Sequence, residues 1–207
     1  MQSIIEKIES LQKSEIKDII DKRINEFKEI NKESNDELFK EICFCIMTAN
    51  YNAEKSIKIQ NQIGDGFLNP TQEVLSSKLK ECGHRFPNMR ADYICQSFKH
   101  KESLNDILES YDGIDLREWF VKNIKGLGYK EASHFLRNIG FDDYAIIDFH
   151  IIDLLVDHKL IEKPKTISKK RYIEIENKLK EIAGKTNLTL AELDLYLWYI
   201  ETGKVLK

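Results

Sequence analysis

The spacing of apolar residues constrains this chain more than any other feature of its sequence. Apolar residues recur at intervals of three and four along almost all of its 207 residues, and no convincing segment alternates strictly between apolar and polar residues. The first pattern is typical of helices that bury one face, whereas strict alternation would indicate half-buried strands. The sequence therefore predicts an all-α protein of about ten to twelve helices.

Local signals predict where several helices begin and end. Ser34 and Glu37 have the spacing of a capping box. Asn69 followed by Pro70 predicts a cap and a first-turn proline, and Asp115 predicts the cap of a later helix. Four glycines at the ends of apolar patterns predict left-handed helix ends: Gly64, Gly66, Gly83 and Gly140.

Composition excludes several classes of protein. Charged residues make up 32% of the chain and the mean hydropathy is -0.45, which argues against both a disordered chain and a membrane span. The first residues alternate charged and apolar side chains without a signal-peptide pattern, so we expect a cytoplasmic protein. The four cysteines lack the spacing of a zinc site or an iron–sulfur cluster, and we expect buried free thiols: Cys43, Cys45, Cys82 and Cys95.

The segment from Asp115 to His150 carries the most information about function. Its first helical pattern ends at residues 124–128 (IKGLG), and a second starts near Tyr129, so the sequence predicts a helix-hairpin-helix. Gly126 and Gly128 allow a tight turn and leave bare N–H groups at a helix N-terminus, which favours a phosphate contact without base readout. Lys125 adds positive charge there. An ordinary corner between two helices of a bundle is the alternative.

Lys130 and Asp148 are the candidate catalytic residues. Lys130 falls in the first turn of the second helix, where the helix dipole opposes an ammonium charge and favours the neutral, nucleophilic amine. Asp148 interrupts an apolar run eighteen residues later, at a place where it could begin a helix and face the lysine across a cleft. The alternatives are a solvated lysine and an aspartate that only caps its helix.

These residues resemble a known superfamily. Residues 125–132 (KGLGYKEA) followed by 147–150 (IDFH) resemble the hairpin and catalytic aspartate of the helix-hairpin-helix DNA glycosylases, whose bifunctional members carry a lysine where Lys130 stands. Residues 47–52 (MTANYN) are similar to the segment that faces the gap left by a flipped base. The resemblance to the archaeal-type 8-oxoguanine DNA glycosylase/lyases extends to residues 193–199 and 202–207. One departure is Asp153, where members often have a basic residue.

The resemblance implies a base-excision-repair enzyme without a metal or other cofactor. It would act, as a monomer, on double-stranded DNA that contains 8-oxoguanine or an abasic site. After base flipping, Asp148 would stabilise the charge developing on the sugar, and Lys130 would form a Schiff base that leads to β-elimination. An oxidised-pyrimidine glycosylase/lyase of the endonuclease III-like branch and a non-catalytic helix-hairpin-helix DNA-binding protein remain alternatives.

The same resemblance assigns further roles. Trp198 would stack on the extruded base, and Lys207 would help to recognise it, with its terminal carboxylate a sensible acceptor for N7–H of 8-oxoguanine. Phe86 would be the wedge inserted into the duplex, and Asn50 would contact the orphaned base. Core packing for Trp198 and Phe86 and a frayed tail for Lys207 are the alternatives. His134 is expected to pack or to contact phosphate.

We further predict two packed helical domains with the active site in the cleft between them. Residues 34–140 would form a helical bundle that ends in the helix-hairpin-helix. Residues 1–33 and 141–207 would form a second helical domain built from both termini. No linker or low-complexity stretch separates the two, so we expect them to pack closely.

Overall fold

The computed structural model describes all 207 residues and contains helices without any β-strand. The all-α prediction is therefore confirmed. Two short 3₁₀ helices span Gly64–Phe67 and Phe98–Ser103. The twelve α-helices are α1 (Gln2–Leu11), α2 (Ile16–Ile30), α3 (Asn35–Thr48), α4 (Ala53–Ile63), α5 (Gln72–Glu81), α6 (Pro87–Ser97), α7 (Leu104–Ser110), α8 (Gly113–Asn123), α9 (Tyr129–Asn138), α10 (Phe149–Asp157), α11 (Lys169–Thr186) and α12 (Leu190–Thr202).

The helices pack around two separate hydrophobic cores. One core is drawn from residues 38–144 and contains more than half of the residues of α3. The other is drawn from residues 4–27 and 145–197. In α2, for example, Ile20, Ile24 and Phe27 face the second core at helical spacing. The proposed division at residues 34 and 140 places each core largely within one domain, and the division itself stays a prediction.

Helix α9 lies between the two cores. It packs against α3 and α8 on one side and against α2 on the other, and its residues are buried from Ala132 to Asn138. Two residues after the helix, Gly140 has a φ of +91° and lies so close to the backbone of Lys28 that a Cβ atom would not fit. The position of α9 is therefore fixed from both sides, which matters because Lys130 lies in its first turn.

A buried ion pair joins the two cores beside α9. Arg117 of α8 is 1% exposed and donates two hydrogen bonds to Glu176 of α11, at 2.5 and 3.0 Å. Glu176 also accepts a hydrogen bond from the backbone N–H of Ala145 at 3.1 Å. Tyr172 of α11 donates to the Ala145 carbonyl at 2.7 Å and accepts from the backbone N–H of Ile147 at 3.2 Å. The segment that leads into Asp148 is therefore held by buried polar groups.

The prediction of a capping box at Ser34 is wrong, because its hydrogen bonds do not form. Ser34 is the N-cap of α3, but its side chain makes no capping hydrogen bond. Glu37, its expected partner, binds Lys40 at 2.7 Å instead. The capping box that does form is Thr189 with Glu192, at the start of α12.

Two other predicted caps are displaced by a few residues. Helix α5 begins after Thr71 rather than at Asn69 and Pro70, and α8 begins after Asp112 rather than Asp115. Several polar residues precede each helix, and the tertiary packing decides which of them starts the first turn. Of the glycines expected in left-handed ends, Gly64, Gly83 and Gly140 have positive φ, while Gly66 lies inside a 3₁₀ helix.

All four cysteines are free thiols, but only Cys43 and Cys45 are fully buried. Burial raises the pKa of both of these thiols well above its ordinary value. Cys82 and Cys95 are partly exposed, because they lie at or near the surface faces of α5 and α6. None of the helices combines the length and the apolar content that crossing a membrane requires.

The buried ion pair predicts a large stability effect. Glu176→Gln keeps the side-chain shape but leaves the Arg117 guanidinium without a charged partner, so we expect a loss of about 3–5 kcal/mol in the free energy of unfolding. Urea denaturation measures this loss. The matched control is Asp153→Asn, which breaks an exposed pair with Lys163 and should change stability little. Equal effects of the two substitutions would contradict the structural role of the buried pair.

Candidate active site

One large cleft brings together five of the residues that the sequence singled out. It has a volume of about 810 Å³ and lies between α9, the start of α10, α12 and the segment that joins α3 to α4. The chain's last residues close one of its walls. The predicted site residues that line it are Asn50, Lys130, Asp148, Trp198 and Lys207.

Lys130 reaches the cleft from the first turn of α9. Its side chain is 24% exposed, and its Nζ lies 3.6 Å from a carboxylate oxygen of Glu131. His134 and Arg137 follow at helical spacing on the same face and also line the cleft. Helix α9 therefore presents the candidate nucleophile Lys130 and the permanent cation of Arg137 to the cavity.

Asp148 reaches the cleft from the start of α10. It is the N-cap of that helix, and its Oδ1 accepts a hydrogen bond from the backbone N–H of Ile151 at 3.0 Å. The alternative that Asp148 caps a helix is thus correct, but the cap engages only Oδ1 and the side chain still lines the cleft. Lys130 and Asp148 form no direct ion pair; the salt bridge of Lys130 is to Glu131.

A second carboxylate, Asp194 of α12, also lines the cleft. It is buried, and it lies 3.4 Å from Arg137. Burial is the main cause that raises the pKa of Asp194 to about 6; the charge of Arg137 opposes this rise, and the nearby Asp148 adds to it. Sequence analysis missed both Asp194 and Arg137. The only sequence signal for Asp194 was a carboxylate within the apolar helical pattern of residues 190–198.

His134 is buried beneath the cleft and packs edge-to-face against Phe44, with ring centroids 5.6 Å apart. Burial lowers its pKa well below the ordinary value, and the charges of Arg137, Lys130 and Lys207 act in the same direction. The imidazole is therefore neutral at pH 7. Of the two expected roles of His134, packing fits this position and a phosphate contact does not.

Trp198 belongs to an aromatic wall of the cleft. Its ring lies 5.0 Å from that of His150 in an edge-to-face arrangement, and His150 lies 4.1 Å from Phe149. Trp198 is partly exposed and its indole N–H has no hydrogen-bond partner in the protein. Phe149 is 66% exposed, unusually high for a large apolar side chain. Sequence analysis did not single it out.

Lys207 is held firmly rather than frayed. Its Nζ donates to Glu41 at 2.8 Å and to Gln60 at 2.6 Å, and it lies 4.3 Å from the centre of the Phe44 ring. Lys204, three residues earlier, forms a second salt bridge across the cleft to Glu54 of α4. The chain end therefore contacts α3 and α4, on the other side of the cavity from α12.

The predicted DNA-backbone residues lie outside the cleft, in the hairpin before α9. Gly126 has a φ of +93°, and a Cβ atom there would meet the Tyr93 ring at 2.5 Å, so only glycine fits. Gly128 has extended backbone and is the N-cap of α9. Lys125 is half exposed, with its Nζ 3.3 Å from Asp92. The hairpin thus leads directly to the helix that carries Lys130.

Of the two remaining predicted residues, Asn50 lines the cleft and Phe86 does not. Phe86 is partly buried, does not line the cleft, and is flanked by the guanidinium groups of Arg85 and Arg90 at 5.0 and 5.7 Å from its ring centre. Asn50 is exposed and has a φ of +56°, a conformation that asparagine tolerates better than most residues. The Arg90 guanidinium donates a hydrogen bond to the carbonyl of Ala49, the residue before Asn50, and so holds the segment that joins α3 to α4.

Comparison with known proteins gives one consistent answer. Residues 20–188 match the family model described as 8-oxoguanine DNA glycosylase. An 8-oxoguanine DNA glycosylase/AP lyase from Methanocaldococcus jannaschii is 57% identical over 206 residues, 99% of each chain. One from Thermotoga maritima is 42% identical over 207 residues, again 99% of each.

Solved structures agree with this. The Methanocaldococcus jannaschii 8-oxoguanine glycosylase/lyase in complex with a 15mer DNA containing 8-oxoguanine superposes with a TM-score of 0.96 at 56% identity, covering 99% of this chain and 100% of that one. The 8-oxoguanine DNA glycosylase of Thermotoga maritima superposes with a TM-score of 0.94 at 41% identity, covering 100% and 99%. Fold, length and sequence match throughout, and the chain belongs to the 8-oxoguanine DNA glycosylase family.

Proposed function

We propose that this protein is a bifunctional DNA glycosylase and abasic-site lyase that removes 8-oxoguanine from double-stranded DNA. The observation that carries the proposal is that Lys130, in the second helix of the helix-hairpin-helix, and Asp148, at the start of α10, line the same cleft. The family match and the names of the relatives support the same activity. A non-catalytic DNA-binding protein would not need a lysine and a carboxylate in the same cavity.

In the proposed reaction, the damaged nucleotide leaves the duplex and enters the cleft. The Lys130 amine attacks C1′ of the sugar while the bond from C1′ to the base breaks, and the base leaves with a proton. Asp148 stabilises the positive charge that develops on the sugar. The attacking nitrogen gives its proton to the departing base; the C1′–O4′ bond then breaks, O4′ takes a proton from water, and a protonated imine between Lys130 and C1′ results.

Strand cleavage follows from the imine. The positively charged nitrogen acidifies the proton on C2′, and its removal expels the 3′ phosphate as the C3′–O bond breaks. Hydrolysis of the imine then frees Lys130. The residues of this chain supply the nucleophile and the electrostatic assistance for each of these steps.

The damaged base would be recognised by stacking and by one hydrogen bond. Trp198 offers a partly exposed ring in the aromatic wall, on which a base can stack. At N7, 8-oxoguanine carries a hydrogen-bond donor where guanine carries an acceptor, so an acceptor discriminates between them. The Lys207 ammonium is engaged by Glu41 and Gln60, and we assign the acceptor to a main-chain oxygen of Lys207.

The duplex would be held outside the cleft. The backbone N–H groups of Gly126 and Gly128, at the N-terminus of α9, suit a phosphate oxygen, with Lys125 adding charge. Phe86 would enter the base stack as a wedge, and Asn50 would meet the orphaned base on the opposite strand. We further propose that the protein acts as a monomer. The cytoplasmic location stays a prediction from the sequence.

The covalent step can be tested by reductive trapping. Only a lysine amine on C1′ gives an imine that borohydride reduces, so a duplex containing 8-oxoguanine should yield a stable protein–DNA adduct. Lys130→Gln should abolish the adduct and retain DNA binding in a mobility-shift assay. Lys32→Gln is the matched control, since this exposed lysine pairs with Glu29 and lies outside both the cleft and the hairpin. An undiminished adduct in Lys130→Gln would exclude Lys130 as the nucleophile.

Electrostatic assistance can be tested by Asp148→Asn. Asparagine caps helices about as well as aspartate, so α10 should stay intact while the negative charge is lost. We expect single-turnover base excision to fall by about 10² or more, with DNA affinity nearly unchanged. Full activity in this variant would mean that Asp148 acts only as a helix cap.

Base recognition can be tested by deleting Lys207. A hydrogen bond to a charged or strongly polar group contributes about 1.5–3 kcal/mol, so excision of 8-oxoguanine should fall by about 10- to 100-fold. Cleavage at an abasic site should fall much less, because no base remains to be recognised. The two substrates share their backbone contacts, so the ratio of the two rates isolates base recognition. Equal losses on both substrates, or no loss, would contradict the role of Lys207.

A further inference from the structure

Glu41 is a charged residue in an unusual place. It lies in the middle of α3, which is buried on nearly all sides, and it is 3% exposed. Neighbouring positions on the helix are apolar core residues such as Ile42 and Phe44. Burying a carboxylate in such surroundings is costly unless other groups compensate its charge and fill its hydrogen-bonding positions.

The two oxygens of Glu41 are occupied from two different directions. Oε1 accepts a hydrogen bond from the Asn138 amide at 2.6 Å, and Asn138 is the last residue of α9. Oε2 accepts from the Lys207 ammonium at 2.8 Å and from the Gln60 amide at 3.3 Å. One buried carboxylate therefore connects the helix of the candidate nucleophile to the chain end that lines the cleft.

Gln60 completes the arrangement around the ammonium. Its side-chain oxygen accepts from Lys207 at 2.6 Å, while its nitrogen donates to the Lys40 carbonyl at 3.0 Å. The hydrogen bond to the backbone of α3 therefore orients the Gln60 amide so that its oxygen faces the Lys207 ammonium. Glu41, Gln60 and the face of Phe44 together bind one ammonium group, and we call these three partners its socket.

Stability alone does not account for this socket. A buried ion pair is often no more stabilising than apolar residues of similar volume, because desolvating both charges offsets their attraction. The second partner also comes from the end of the chain, 166 residues away, whose ordering has an entropic cost. The contact does have one evident effect on the site, which is to fix where Lys207 lies.

We propose that Glu41, assisted by Gln60, is a specificity-determining positioning residue that anchors the Lys207 ammonium and so holds the Lys207 main chain at the cleft wall where the flipped base is recognised. The proposal rests on the recognition role assigned to Lys207 above. It separates two functions within one residue: the side chain of Lys207 is the anchor, and its main chain meets the base. Glu41 itself touches neither base nor sugar.

The test compares Glu41→Gln, Lys207→Met and the double variant. Glu41→Gln keeps the side-chain shape and removes the charge, and Lys207→Met removes the ammonium and keeps the main chain. Each variant is assayed in single-turnover reactions on two duplexes, one with 8-oxoguanine and one with an abasic site. The matched control is Glu37→Gln, one turn earlier on α3, whose carboxylate is about half exposed and binds Lys40. Thermal unfolding is measured for every variant.

We expect each single variant to lower the ratio of 8-oxoguanine excision to abasic-site cleavage by about 10- to 100-fold, and Glu37→Gln to leave it unchanged. Because Glu41 and Lys207 act through the same contact, the double variant should lose no more than either single variant. If a substitution only lowered the folding stability of the protein and left base recognition intact, both activities would fall together. If Glu41→Gln does not fold, Lys207→Met carries the same prediction, since its side chain belongs to the chain end rather than to a core helix.

Three results would overturn the proposal: an unchanged ratio in either single variant, equal losses on both substrates, or additive losses in the double variant. The deletion of Lys207 distinguishes this failure from that of the proposed function. If the deletion spares 8-oxoguanine excision, the recognition role itself is wrong. If the deletion is selective but Glu41→Gln is not, Lys207 recognises the base without this anchor.

Discussion

The two candidate catalytic residues belong to different parts of the fold, so their separation depends on how the two hydrophobic cores are joined. Lys130 is carried by α9, which packs on the first core, and Asp148 begins α10, which packs in the second. The buried pair of Arg117 and Glu176 joins the cores at this point and reaches both sides. Arg117 also donates to Ser133 of α9 at 3.2 Å, and Glu176 binds the backbone that leads to Asp148. This pair therefore contributes one contact to each of the two segments that carry the candidate residues.

The cleft contains both cations and carboxylates. Helix α9 contributes Lys130, which lies beside Glu131 of the same helix, and Arg137, while the start of α10 and the first half of α12 contribute Asp148 and Asp194. In a cavity with buried walls these charges interact more strongly than they would in water. Asp194 compensates the permanent charge of Arg137, so the guanidinium has a partner other than Asp148. The proposed role of Asp148 depends on this arrangement, because a carboxylate paired with Arg137 would be less able to stabilise a cationic sugar.

The sequence predicted those features that depend on local spacing. Helical periodicity located the helices, Gly126 marked the hairpin, and the resemblance nominated Lys130 and Asp148. Features that depend on distant partners had no local signal: nothing near Glu41 indicates that its partner is Lys207, and nothing near Arg137 indicates Asp194. Helix caps fall between these cases. Thr189 and Ser34 each have a glutamate three residues later, but Glu37 is taken by Lys40, and only the tertiary structure decides that competition.

Several buried polar atoms at the cleft have no hydrogen-bond partner within the protein, among them the Trp198 indole nitrogen and Nε of Arg137. Leaving such a group unpaired costs about 1–3 kcal/mol, so a core selected only for stability would not concentrate them in one place. Water or the polar edge of a nucleobase can supply the missing partners. An 8-oxoguanine base offers more donors and acceptors than an apolar ligand of its size, and binding it would recover part of this cost.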